Sequence, residues 1–196
     1  MMMRLSFLTG LILVLTNSAC ALFINQRTYL IPEGTEGNVY IFRGVASGEK
    51  VEKNGNETVF RVPESRILVS QFVPDSSIFQ SHFYYVKQDG SRLRLEHEPS
   101  SVHKTEENLN NYRPFVWFPA EVSSSWSKVP CEVKYEKFYV GTRARMLQLT
   151  QEDRDREWFR LQAFVEENAE KLCEGKSEVK TTFEKVTVNL LGMFQE

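Results

Sequence analysis

The sequence has no excess of basic residues and no apolar run of the length that a membrane-spanning helix needs. Lysine and arginine number 24 against 26 aspartate and glutamate residues, a formal charge of −2, which excludes a strongly basic nucleic-acid-binding protein. The chain also lacks a Gly-x-Ser-x-Gly nucleophile elbow, a glycine-rich phosphate loop and a His-Glu-x-x-His motif. No motif therefore identifies a reaction, and we predict neither a cofactor nor a metal.

What the chain does have is enough apolar and aromatic residues for a packed core. Its 196 residues are 41% hydrophobic and 12% aromatic, which argues against a disordered chain. The length suits one domain.

Residues 1–21 are typical of an export signal. A start with one positive charge, Arg4, precedes apolar residues 5–15, which are too few to cross a membrane permanently. Two cleavage interpretations remain open: Cys20 is the first, lipid-bearing residue of a mature lipoprotein, or residues 19–21 are a signal-peptidase site and the mature chain starts at Leu22. The first predicts a periplasmic or outer-membrane lipoprotein anchored to the membrane through Cys20, and the second a secreted soluble protein.

Residues 22–148 predict one β-rich domain, a β-sandwich of antiparallel strands. Runs of β-branched and aromatic residues alternate with turn residues at short spacing throughout this part. The Asn54-Gly55 pair favours a hairpin with a type I′ turn, and the residues around Gly90 favour a second hairpin.

The next segments are less regular. Residues 96–113 are polar with little periodicity, which indicates a long loop. Residues 115–118, between two prolines, predict a short strand. Residues 131–140 alternate, with Glu136 on the polar side, and predict a half-buried strand.

Residues 149–196 predict an amphipathic helix packed on the sheet, followed by a terminal strand in residues 179–190. Thr150 is a suitable N-cap and Gly175 a suitable stop. One apolar stripe has helical spacing: Trp158, Leu161, Val165, Ala169 and Leu172.

Six short motifs, taken in order, resemble an uncharacterised domain family of exported bacterial proteins and lipoproteins. They are YLIPEG (29–34), GNVYIF (37–42), RVPES (61–65), QF (71–72), FYYV (83–86) and GSR (90–92). The resemblance implies a signal peptide, a small β-rich domain and no assigned activity or catalytic residue. More distantly, the layout is similar to that of prealbumin-like sandwiches, a likeness of fold that implies no function.

Two groups of side chains are candidates for binding. The histidines His82, His97 and His103 have no metal-ligand spacing, and we interpret them as solvated loop residues. The aromatic residues around position 117 could stack on a ligand at the edge of a sandwich, with these candidates: Tyr112, Trp117 and Trp126. The competing interpretation is that they fill the core, with Trp126 the most exposed because serines flank it.

Cys131 and Cys173 form an even pair once Cys20 is lipidated or removed. In an oxidising compartment such a pair favours a disulfide, here one that joins the start of a strand to the end of the helix. Two buried free thiols are the alternative.

Together these observations predict an exported, non-catalytic protein of the cell envelope that binds an unknown envelope protein or glycan, or has a structural role. The alternative is an envelope hydrolase with an unrecognised active site.

Overall fold

The computed structural model describes residues 25–74, 79–98, 105–124, 126 and 128–176. Within them lie ten strands: β1 Asn25–Pro32, β2 Gly37–Phe42, β3 Glu52–Asn54, β4 Glu57–Arg61, β5 Ile67–Val69, β6 Phe79–Val86, β7 Arg92–Arg94, β8 Glu96–Glu98, β9 Pro114–Ser124 and β10 Val133–Thr142. The same residues include four helices: α1 Glu106–Leu109, α2 Arg143–Gln148, α3 Gln151–Glu167 and α4 Ala169–Cys173. The export signal with Cys20, His103 and the strand predicted in residues 179–190 lie outside the described residues.

The strands form two five-stranded sheets. Sheet 1 has the order β3-β4-β1-β6-β7, and sheet 2 has the order β5-β2-β10-β9-β8. The predicted two-sheet, mainly β fold with a C-terminal helix is confirmed, but the sheets are mixed rather than antiparallel. β1 pairs in parallel with both β4 and β6, and β2–β5 and β8–β9 are also parallel. Side-chain alternation is the same in parallel and antiparallel strands, so it could not reveal strand direction.

Aromatic rings fill the space between the sheets. The fully buried Tyr29 of β1 stacks on Phe60 at 5.0 Å and on Phe83 at 4.7 Å between ring centroids. Phe138 of the facing sheet meets the Tyr29 ring edge-on at 5.4 Å. Such ring pairs add stability beyond the area they bury.

A second apolar cluster joins the other face of sheet 2 to the helices. Thr150 and Asp153 form a capping box that starts α3, and Leu161 and Val165 are buried on sheet 2. The helix breaks at Asn168, earlier than predicted, and α4 continues the apolar stripe.

The predicted cysteine pair lies in this layer. Cys131 and Cys173 form a disulfide in the structure, with their Cα atoms 5.6 Å apart. The bond ties the chain just before β10 to the end of α4, so it holds the helical layer on sheet 2.

Both predicted hairpins form, but the first turn is not type I′. Asn54 pairs with Glu57, which leaves Gly55 and Asn56 as the central turn residues. Gly55 has φ +61°, whereas Asn56 is not left-handed, and a type I′ turn requires positive φ at both positions. The second hairpin joins β6 to β7.

The prediction of a long loop in residues 96–113 is wrong in part, because this segment contains β8 and α1. β8 is too short to show periodicity and pairs with β9 of sheet 2. The short strand predicted for residues 115–118 is part of the longer β9, which runs through Pro119.

Glu136 of β10, predicted on a solvent-facing side, is instead buried between the sheets together with two arginines. Its Oε1 accepts a hydrogen bond of 2.7 Å from the Tyr29 hydroxyl. Its Oε2 lies 3.7 Å from Arg43 Nη1 and 4.0 Å from Arg27 Nη1. The arginines come from β1 and from just after β2, so only the fold brings them to the carboxylate.

Candidate functional site

A cavity along the described residues forms where the chain changes sheets at Leu95. β7 pairs with the end of β6, with Arg92 opposite Val86, and the Leu95 N–H donates to the Phe83 carbonyl at 2.9 Å. The next residues, β8, pair with β9 of sheet 2 instead. The sheets therefore separate beyond Leu95 and leave a cavity of about 830 Å³, which we call the β6–β8 cleft.

The first half of β6 presents backbone groups to this cleft. On the β7 side, the Phe83 carbonyl accepts from Leu95 and the Lys87 N–H donates to Ser91, so odd-numbered residues of β6 direct their backbone groups to that edge. The N–H and C=O of Ser81 therefore point to the edge that β7 has left. Among the described residues, no strand pairs with residues 79–82 on that edge. A free strand edge of this kind can accept a further strand.

Side chains of both charges line the cleft. Arg113 forms an ion pair of 2.7 Å with Glu96. Arg143 lies 3.8 Å from Glu96 and 3.6 Å from Glu98. Arg94 of β7 completes the charged lining. Apart from its histidines, the cleft carries three positive and two negative side chains, so it suits a ligand with both kinds of charge.

Two of the three histidines lie in strands that line the cleft, not in loops as predicted, with His82 half-buried and His97 exposed to solvent. The Nδ1 of His82 is buried and has no hydrogen-bond partner within the described residues. The His97 ring packs 5.6 Å from that of Phe83, and burial lowers its pKa, against a smaller opposite effect of Glu98. Within the described parts of the chain, no group of three or more His, Cys, Asp or Glu side chains is arranged to hold a metal ion.

The ring contacts seen among the described residues join no two of the three aromatic candidates. Trp126, predicted as the most exposed, is only 9% exposed because it stacks on Trp158 of α3, with 4.9 Å between ring centroids. Tyr112 is 69% exposed and precedes β9, while Trp117 lies within β9 opposite Glu98. Within the described part of the chain, these three rings share no stacking contact.

The residues that make the cleft carry no recognisable motif in the sequence. Arg113 and Arg143 are ordinary surface arginines in the sequence, and Ser81 lies in no motif. These residues come together only because the chain changes sheets at Leu95, and neither a periodicity nor a turn residue in the sequence predicts that change. The one local signal is Leu95, a single apolar residue among polar and charged neighbours, and one such residue does not predict a change of sheets.

None of the described helices has the length and apolar character of a membrane span. Comparison with known families finds a match between residues 24–145 and a model described as "Family of unknown function (DUF6843)", which confirms the resemblance drawn from the six motifs. No curated protein matches the sequence. A crystal structure of a candidate lipoprotein from Bacillus anthracis is similar, with 14% identity and a TM-score of 0.49, over 73% of this chain and 95% of that one.

Proposed function

This chain belongs to the family of unknown function DUF6843, and we propose that it is an exported, non-catalytic binding protein of the bacterial cell envelope. Its ligand is an extended peptide segment of another envelope protein, held in the β6–β8 cleft. The observation that carries the proposal is the open edge of β6 facing a cavity of about 830 Å³.

The open edge favours a peptide over a glycan. A bound strand would exchange backbone hydrogen bonds with Ser81 and occupy the position that β7 leaves at Leu95. Strand addition of this kind gives affinity through the main chain and specificity through side-chain pockets. A glycan-binding groove needs stacked aromatic rings, and the described aromatic candidates do not converge.

The cleft side chains supply the specificity. Arg94 lies in β7, the strand whose position along β6 a bound peptide would continue. Glu96 and Glu98 of β8 line the cleft from sheet 2. A peptide with alternating acidic and basic side chains would complement both walls. The buried His82 Nδ1 offers one further hydrogen-bonding atom.

Export and anchoring rest on residues 1–21. We expect Cys20 to be lipidated, so that the binding domain stays at the membrane surface. Palmitate labelling of the expressed protein tests this, and Cys20→Ser should lose the label. A Cys20→Ser form that is processed and released like the wild type contradicts the anchor.

The peptide site is tested through the backbone of Ser81. A phage-displayed peptide library is selected on the wild-type domain, and the enriched peptides are synthesised for affinity measurements. Ser81→Pro removes the outward N–H without touching the pairing with β1, and proline is tolerated at such an edge position. Because Ser81→Pro removes one backbone hydrogen bond to the peptide and blocks the strand edge, we expect this variant to bind the selected peptides with about ten-fold weaker affinity or worse.

Ser81→Ala is the matched control, since it changes the same side chain and keeps the N–H. It should bind the selected peptides as the wild type does. Equal affinity of the proline and alanine variants, with both folded by circular dichroism, would contradict strand addition. Failure to enrich any peptide would contradict the proposal as well.

A further inference from the structure

A second, smaller cavity shares no lining residue with the β6–β8 cleft and lies between the start of β2, β10 and the helices α2 and α3. Its volume is about 180 Å³. Seven charged side chains line it: Arg66, Arg145, Arg154, Arg156, Glu36, Asp153 and Glu157. Four are positive and three negative, so the cavity carries a net positive charge.

The hydroxyl of Tyr139 is the buried polar group of this cavity. Tyr139 is 3% exposed, and its oxygen has no hydrogen-bond partner within the described residues. Burial raises its pKa, so the hydroxyl keeps its proton and is available as a donor. A Cβ added at Gly141 would lie 2.7 Å from this oxygen, so glycine keeps the space beside the hydroxyl clear. A buried donor without an acceptor is unfavourable unless a ligand supplies one.

Arg66 forms one wall in a strained backbone conformation. Its φ is +62°, and it is the one described non-glycine residue with a positive φ. Its guanidinium donates to the Glu36 carbonyl at 2.9 Å and to Glu157 Oε1 at 2.8 Å. Gly37 has φ +112°, which favours glycine, and a Cβ there would lie 1.9 Å from Arg66 Nη1, so the guanidinium would have to move. Strain of this kind persists where surrounding contacts hold it, and functional sites are where it collects.

Two of the arginines take part in no described ion pair, although Arg154 Nη2 donates to the Leu149 carbonyl at 3.5 Å. Arg66 pairs with Glu157, and Arg156 lies 3.8 Å from Asp153. For Arg145 and Arg154, no described carboxylate lies within ion-pair distance. Both line the same cavity as the Tyr139 hydroxyl, and the charge of Arg145 acts on that hydroxyl.

We propose that this cavity binds a phosphate group, held by the Tyr139 hydroxyl and the guanidinium groups of Arg145 and Arg154. A phosphate has three or more acceptor oxygens, enough for all three donors, whereas a carboxylate has two. The group can come from free phosphate, with four terminal oxygens, or from a phospholipid headgroup, whose phosphodiester offers two terminal oxygens and two weaker ester oxygens. The site is independent of the β6–β8 cleft and of peptide binding.

Inorganic phosphate is the probe for the first source. Calorimetric titration of the unlipidated chain, in a phosphate-free buffer of constant ionic strength, should show saturable binding to the wild type. Tyr139→Phe and Arg145→Gln should each weaken the affinity by about ten-fold or more, the effect of one lost charge-assisted hydrogen bond. Arg113→Gln, which removes a guanidinium from the cleft instead, should bind phosphate as the wild type does.

Vesicles identify the second source. Co-sedimentation of the same unlipidated proteins with phosphatidylglycerol vesicles tests for a headgroup, with inorganic phosphate as the competitor. Vesicle binding that Tyr139→Phe abolishes and phosphate displaces assigns the site to a lipid. Phosphate binding without vesicle binding assigns it to a soluble phosphate compound.

Thermal unfolding separates the proposal from a folding defect. Without phosphate, Tyr139→Phe should melt no lower than the wild type, because it removes a hydroxyl that has no partner. At a given phosphate concentration, the melting temperature of the wild type should rise more than that of Tyr139→Phe, because the variant binds phosphate more weakly. Equal phosphate affinity of the two proteins, or no binding to the wild type of either phosphate or vesicles, overturns the proposal.

Discussion

Replacement of Glu136 by glutamine tests whether charge pairing holds the two sheets together at the end of the core where Arg27 and Arg43 are buried. The side chains of Glu136, Arg27 and Arg43 are 8%, 5% and 3% exposed. Glutamine has nearly the same shape and can still accept from the Tyr29 hydroxyl, but it leaves two buried guanidinium groups without this negative charge.

The expected cost follows from the burial. Removing one partner of a buried ion pair typically destabilises a protein by about 3–5 kcal/mol, because the remaining charge stays buried. The distances of 3.7 and 4.0 Å are long for a direct ion pair, so we expect the lower end, about 3 kcal/mol. With a denaturant slope of about 1–3 kcal/mol/M in urea, the unfolding midpoint should fall by about 1–3 M.

Urea unfolding followed by circular dichroism measures this, with Glu52→Gln as the control. Glu52 forms two hydrogen bonds with Arg61, at 2.9 and 3.1 Å, but both side chains are more than half exposed. An exposed pair of this kind contributes little to stability, so the control should hardly move the midpoint. If Glu136→Gln moves the midpoint no more than Glu52→Gln does, the buried charge network contributes little to the stability of the sandwich.

Three further predictions concern the disulfide, alkaline pH and a tight glycine. Without reductant, Cys131 and Cys173 should resist alkylation in a mass spectrum, and labelling of both would contradict the bridge. Burial raises the pKa of Tyr40 to about 12, so its contribution to stability is complete below pH ~10 and is lost as the pH rises through ~12. Between these pH values, the urea midpoint of Tyr40→Phe should therefore fall less than that of the wild type. An equal fall in both proteins would contradict the raised pKa of Tyr40. A Cβ at Gly48 would lie 2.8 Å from the Ser70 carbonyl carbon, so Gly48→Ala should lower the free energy of unfolding by about 1–3 kcal/mol in the same urea assay, and an unchanged midpoint would contradict this.

Local structure could be predicted well where short-range chemistry decides it. Thr150 caps α3 as predicted from its hydroxyl side chain and from the acidic residues in the first turn. The Asn54-Gly55 pair lies at a real hairpin, although the turn uses Gly55 and Asn56 as its central residues. The apolar stripe of the helix also predicted its buried face, with Leu161 and Val165 on sheet 2.

Long-range relations could not be predicted from one sequence. β1 pairs in parallel with β4 and β6, which requires crossover connections between these strands. Their apolar and polar side chains alternate as they would in an antiparallel hairpin, so the sequence does not reveal the parallel pairing. Trp126 is buried because Trp158 reaches it from a helix that begins 25 positions later in the chain. The cleft depends on three residues beyond Leu95 that join the other sheet.

Amide hydrogen exchange at Ser81, measured by NMR with and without a selected peptide, tests the proposed binding site most directly. In the free protein this N–H lies at an open strand edge and should exchange rapidly, in contrast to the His82 N–H on the side of β1. Peptide binding should slow the exchange at Ser81 by about ten-fold or more, because the amide gains a backbone partner. If the peptide binds and the exchange at Ser81 does not change, the ligand does not add a strand to β6.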